Sequence, residues 1–300
     1  MENRQPLPLG ARAGGTSFSA CVALYMILSL IASGIITASG LSDADGGKYI
    51  SYLVSPVAIA AILGLAFGYF RQPVQKILPV RCNPKYILIG LLLIFGLLFS
   101  LNRVNDYLIQ LFELMGYTRR DGNLPDVSGW RVLPVLLVVA VLPAIAEEAL
   151  FRGLILNNIE SGVGSVRSIF LVGLCFSLYH GSVEQTIYQF ICGCLFALLA
   201  VRSRSITPAV IIHFLNNALI IILYSAGAVD GATGALSLSL GGEIALYILS
   251  GISLVAAVVW LVLDKTELFK GEKGEVKSFF IYASVGIAAM LIVWITGLFI

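Results

Sequence analysis

Two adjacent carboxylates and an arginine interrupt an apolar run in Leu142-Pro143-Ala144-Ile145-Ala146-Glu147-Glu148-Ala149-Leu150-Phe151-Arg152. Ionisable side chains inside a membrane span cost at least a few kcal/mol each, so they face a protein interior or a wet cavity and mark function. On a helix Glu148 stands one turn before Arg152 on the same face, in the favourable order of acid before base. Glu147 points about 100° away from it. Glu148 is therefore expected to be a paired, structural carboxylate. Glu147 is left to meet a group on another helix. Pro143, one turn earlier, removes a backbone hydrogen bond and predicts a kink just ahead of the acids. The plainer reading of the stretch is a charge cluster that only joins helices.

The chain has two histidines, and both fall in or at the end of apolar segments: Phe176-Ser177-Leu178-Tyr179-His180 and His213-Phe214-Leu215-Asn216-Asn217. His213 and Asn217 are one turn apart on one face, with Asn216 a weaker candidate beside them. At about 1.5 Å per residue, Glu147 lies roughly 8 Å, His213 roughly 9 Å and His180 roughly 18 Å from the cytoplasmic edge of the bilayer core, close enough to converge. A glutamate, two imidazoles and a carboxamide supply a base for water and donors for an oxyanion, the set that acyl hydrolysis needs. Glu147, His180 and His213 also make a two-histidine, one-carboxylate set that can hold Zn²⁺. Glu147 would then be a ligand, and the spare acid, Glu148, is tied to Arg152. Metal-free, glutamate-dependent chemistry with no cofactor is therefore the expectation, with zinc as the alternative. Neither G-x-S-x-G nor H-E-x-x-H occurs, which argues against a serine hydrolase or an ordinary zincin.

These residues must be placed by membrane helices. Of 300 residues 58% are hydrophobic and 12% charged, against about 25% charged in a soluble domain. Nothing suggests a nucleic-acid partner. The five cysteines read as small buried hydrophobes, including Cys192-Gly193-Cys194, where packing is preferred over a soft-metal site. Residues 1–15 read as a polar cytoplasmic tail. Residues 16–300 read as one transmembrane domain, an all-α polytopic bundle of about eight to nine spans with its catalytic core at about 132–224. The spans fall near 17–39, 50–70, 86–101, 132–156, 168–179, 183–201, 207–224, 244–263 and 278–300. Between the third and fourth, Val104, Tyr107, Leu108, Leu111, Phe112 and Met115 recur at helical spacing. They predict an interfacial amphipathic helix, with packing on the bundle as its simplest role. The signals Asp121-Gly122 and Leu124-Pro125 then mark turns. Basic loops around Lys76 and Lys273 place the amino terminus in the cytoplasm and the carboxyl terminus outside, in a multi-pass protein of the cell membrane.

The motifs together resemble the CPBP family of intramembrane endopeptidases, which includes the type II CAAX prenyl proteases and bacteriocin-processing and immunity proteins. The family's E-E-x-x-x-R falls on Glu147, Glu148 and Arg152, its F-x-x-x-H on Phe176 and His180, and its H-x-x-x-N/D on His213 and Asn217. The resemblance implies that Glu147 with His180 activates water, that His213 with Asn217 stabilises the oxyanion, and that Glu148, Arg152 and Phe176 support them. It implies a membrane-embedded or membrane-associated peptide or protein substrate, without requiring that the substrate be prenylated. A non-proteolytic immunity or scaffold protein, or a transporter, that keeps the polar pocket is the competing reading. A transporter would show paired broken helices in an internal repeat, and the sequence has no such repeat.

Overall fold

The computed structural model describes residues 10–114, 116–118, 124–228, 236 and 238–299. The described residues form helices Ala11–Ala38 (α1), Asp45–Tyr69 (α2), Lys85–Leu114 (α3), Gly129–Val163 (α4), Ser165–Tyr179 (α5), Thr186–Ser203 (α6), Thr207–Ser225 (α7), Leu240–Leu263 (α8) and Glu275–Thr296 (α9). All but α5 are long and apolar enough to cross a membrane, and the chain is a multi-pass membrane protein. At 15 residues α5 is too short to span a bilayer alone, although the sequence reading counts its segment, 168–179, among the spans.

Helix α4 lies at the centre, with α1, α2, α5, α6, α7 and α9 against it. One apolar core joins Phe18 and Cys21 of α1, Phe151 of α4, Phe176 of α5 and Phe279 of α9. A second joins Leu93 of α3, Phe196 of α6, Ile212 of α7 and Leu261 of α8. Large apolar side chains such as Leu30, Leu133, Ile252 and Val285 point outward from the bundle. An apolar exterior is what a lipid solvent selects, since the hydrophobic effect does not drive it inward there.

Several boundaries differ from the sequence expectation. Helix α1 starts at Ala11, inside the stretch read as a tail; residues 1–9 lie outside the described residues. The amphipathic stretch is the continuation of α3 after a widened turn at Leu97–Leu101, so the third span and that helix are one rod. Its apolar stripe is only partly packed on the bundle, with Leu108 and Phe112 half-buried. Val104, Tyr107 and Leu111 are exposed, while Asn105 turns inward and donates to the Glu184 carbonyl at 3.0 Å. Lipid covers the exposed part of the stripe as well as the bundle would. Met115 and the Asp121-Gly122 turn lie outside the described residues.

Candidate active site

The centre of α4 departs from regular α-helix. Leu136–Val141 and Ala149–Ile155 are wide π turns flanking the α-helical Leu142–Glu148, and the Leu142 N–H reaches back to the Leu137 carbonyl. Pro143 has no N–H, so the Val139 carbonyl, four residues earlier, loses its α-helical donor. The expected disturbance before the acids takes this widened form, which is common at functional sites.

The acid pair is nonetheless divided as the i,i+4 spacing predicts. Arg152 and Glu148 are both fully buried, and Arg152 Nη1 donates to Glu148 Oε1 at 2.7 Å. Its Nη2 donates to the Gly193 carbonyl of α6 at 3.0 Å, and the guanidinium lies over the Phe176 ring, 4.3 Å from its centroid. Helices α5 and α6 approach closely enough for this only because Gly173 faces Gly193. A Cβ on Gly193 would stand 2.8 Å from Gly173 Cα, and one on Gly173 would stand 2.4 Å from Cys194 Sγ. The Cys192-Gly193-Cys194 segment thus serves packing, with both thiols free.

Glu147 belongs to a different environment. It lines a cavity of about 570 Å³ together with His180, His213, Asn216 and Asn217; Glu148 and Arg152 stay outside its wall. Helix α5 ends at this wall. Gly181 takes the left-handed conformation (φ +58°) that closes a helix carboxyl end, leaving His180 in the last turn. His180 Nδ1 donates to the Phe176 carbonyl at 2.8 Å, which makes Nε2 the acceptor of the neutral ring. That Nε2 is 3.8 Å from Glu147 Oε2, a buried oxygen with no hydrogen-bond partner among the described residues. Phe176 packs edgewise or tilted on both imidazoles, with centroids 4.7 Å from His180 and 6.0 Å from His213.

On α7, His213 Nδ1 lies 2.8 Å from Glu148 Oε1. An ionised carboxylate only accepts, so Nδ1 carries the proton and Nε2 is free for another partner. Asn217 Nδ2 donates to the Val139 carbonyl at 3.2 Å, the group deprived of its donor by Pro143. One amide hydrogen of Asn217 remains unspent.

The sequence reading missed part of the wall. Tyr188 of α6, Tyr25 of α1 and Ser51, Tyr52 and Ser55 of α2 all line the cavity. The spacing Ser51–Ser55 was a usable signal, being two hydroxyls one turn apart in an apolar span. Among the described residues no group of three or more His, Cys, Asp or Glu is gathered as a metal ion requires. His213 holds its Nδ1 on Glu148 and keeps Nε2 open, an arrangement that a metal-binding histidine shares; no step below passes through a metal.

Neither a curated protein nor a solved structure matches this chain. Residues 129–219 do match the family model of the type II CAAX prenyl endopeptidase, Rce1-like, proteins, and every residue of the three motifs falls inside that Rce1-like segment.

Proposed function

We propose that the chain is an intramembrane endopeptidase that hydrolyses a peptide bond of a membrane-embedded or membrane-associated substrate with glutamate-activated water. The observation that carries the proposal is the convergence of Glu147, His180, His213 and Asn217, from three different helices, on one cavity. A gap of 3.8 Å between Glu147 Oε2 and His180 Nε2 is too long for a direct hydrogen bond. A water bonded to both at about 2.8 Å needs them roughly 4.5 Å apart, so a small opening movement admits one that gives a hydrogen to each acceptor and keeps a lone pair for the scissile carbonyl. Glu147 takes the proton as general base and returns it to the leaving amine. Asn217 donates its unspent N–H to the developing oxyanion. His213 joins it from Nε2 only as imidazolium, whereas Asn217 donates in every protonation state.

The loops between α2 and α3, α6 and α7, and α8 and α9 gather at one end of the bundle. Ile206 N–H donates to the Pro79 carbonyl and Arg202 to that of Thr266. These loops hold Lys76, Arg81, Arg204, Lys265, Lys270 and Lys273, which supports a cytoplasmic location for that end and for the amino terminus in the cell membrane. Labelling of a cysteine placed at Lys273 by an impermeant reagent from outside would reverse this orientation.

The functional test is peptidomics of membranes from cells expressing wild-type protein or Glu147→Ala. Peptides produced only by the wild type are expected, and identical peptide profiles would leave a binding or scaffold role instead. Metal content and activity after stripping with a strong chelator test the mechanism. Stoichiometric zinc, with activity lost on chelation and restored by zinc, would overturn glutamate-only chemistry.

A further inference from the structure

Three side-chain hydrogen bonds run along the cavity wall, and two of them involve side chains outside the sequence motifs. Tyr188 Oη donates to Asn216 Oδ1 at 2.9 Å. Asn216 Nδ2 donates to Asn217 Oδ1 at 3.1 Å. Asn217 Nδ2 donates to the Val139 carbonyl at 3.2 Å. The direction of each bond follows from the two ends of the chain. A peptide carbonyl can only accept, so Asn217 must turn its NH₂ toward Val139 and its oxygen toward Asn216. Asn216 then spends its NH₂ on Asn217 and presents an oxygen that only a donor can meet, and the Tyr188 hydroxyl is that donor. Reversing either amide sets like groups against each other in a buried place, where an unmade hydrogen bond is costly.

The chain joins α4, α6 and α7, and each contributes something the others lack. Pro143 frees the acceptor on α4 by having no N–H of its own. Helix α7 brings the adjacent carboxamides, and α6 supplies the donor that ends the chain. Asn216 and Tyr188 are both buried, so little water competes for the bond between them.

We propose that Tyr188 is a positioning residue for the hydrolysis. Through Asn216 it holds the Asn217 carboxamide in the one orientation that aims an N–H, not an oxygen, at the developing oxyanion. This inference rests on the endopeptidase reading above. Without the hydroxyl, Asn216 loses its partner at the α6 end and the Asn217 amide is held from one side only. An Asn217 turned the other way would set its oxygen against the oxyanion and would raise the barrier rather than lower it. Substrate binding is not expected to depend on that orientation, because the charge appears only in the transition state.

The experiment uses the full-length protein in phosphatidylcholine vesicles and a pool of quenched fluorescent peptides bearing an apolar tail. Wild type, Glu147→Gln, Tyr188→Phe, Asn216→Ala, Asn217→Ala and the double variant Tyr188→Phe/Asn217→Ala are compared. Tyr188→Phe keeps the ring and is expected to fold as wild type, with kcat lowered about tenfold and KM unchanged, the scale of one lost hydrogen bond. Asn216→Ala is expected to match it. Asn217→Ala is expected to lose roughly 10²–10³ in kcat. Adding Tyr188→Phe to Asn217→Ala is expected to cost nothing more, because the hydroxyl acts through that amide. A merely structural role would instead lower the unfolding temperature and add its effect in the Asn217→Ala background. Wild-type kcat in Tyr188→Phe, a raised KM alone, or full additivity would overturn the proposal while leaving the peptidase reading intact. Absence of Glu147-dependent cleavage in the wild type would overturn both.

Discussion

His213 and Glu148 are 65 positions apart in the chain, yet His213 Nδ1 stands 2.8 Å from the same Glu148 oxygen that accepts Arg152 at 2.7 Å. Glu148 is therefore more than the anion of a local ion pair. It sets the tautomer of an imidazole on α7 while neutralising a fully buried guanidinium on its own helix. The expected consequence is a variant with two defects. Glu148→Ala should strand Arg152 and lower stability by roughly 3–5 kcal/mol. It should also release His213 to rotate and reduce cleavage of whatever protein remains folded. Thermal unfolding in detergent, paired with a cleavage assay normalised to folded protein, reads the two effects separately. Full stability in Glu148→Ala would contradict the burial argument.

Glu147 should behave in the opposite way. Among the described residues no cation lies within hydrogen-bonding distance of it, and one of its oxygens is buried without a partner. Removing its charge should leave the fold intact. Glu147→Gln is expected to reach wild-type expression and unfolding temperature while cleavage falls by about 10²–10⁴-fold, the usual worth of a general base. Near-normal cleavage by a fully expressed Glu147→Gln would remove it from the role of base.

The crossing of α5 and α6 gives a third expectation. A methyl group on Gly173 meets Cys194 Sγ at 2.4 Å and the Cys194 backbone nitrogen at 3.0 Å, so α6 has to move. Gly173→Ala should cost about 1–3 kcal/mol, as overpacking does. It should also draw the Gly193 carbonyl away from Arg152. Cys194→Ala in the same chain removes the nearer of these contacts and should restore part of the loss. Unfolding temperatures of the single and double variants check this, and an undiminished Gly173→Ala would show that the two helices separate freely.

At the end of α8 the Asp264 carboxylate predicts a pH dependence. Its side chain is 4% exposed, and burial alone would raise its proton affinity. Donation from Lys85 at 2.8 Å, from the Thr266 hydroxyl and N–H at 2.6 and 2.9 Å and from Tyr86 at 3.1 Å outweighs burial and holds the carboxyl well below the usual aspartate range. A group whose pKa is lowered by folding stabilises the fold fully above its unfolded value, and that contribution is lost as pH falls toward the folded value. Wild type should therefore unfold at a higher temperature than Asp264→Asn at about pH 7, with the difference shrinking below about pH 4. A difference that grew on acidification would refute the assignment.

The local parts of this architecture were legible in the sequence. Apolar runs separated by basic and Gly/Pro-rich loops mark the spans, because a bilayer rewards length and hydropathy along the chain. The Glu148–Arg152 pair was legible because an i,i+4 relation needs only helical geometry. The separate fate of Glu147 followed from the same reasoning. What the sequence left open depends on rotations and translations between helices. Two π turns and a proline re-aim α4 by amounts that a fixed 3.6-residue period does not contain, so the Glu148–His213 contact emerges only when α7 is packed against it. The fusion of the amphipathic stretch with the third span, and the exposure of part of its apolar stripe, likewise depend on packing that the stretch's own periodicity does not contain. Tyr188 read as one more aromatic in an apolar span. Tertiary packing alone brought its hydroxyl to Asn216, because the carbonyl that orients the whole chain belongs to another helix and lies 49 positions earlier than Tyr188 in the sequence.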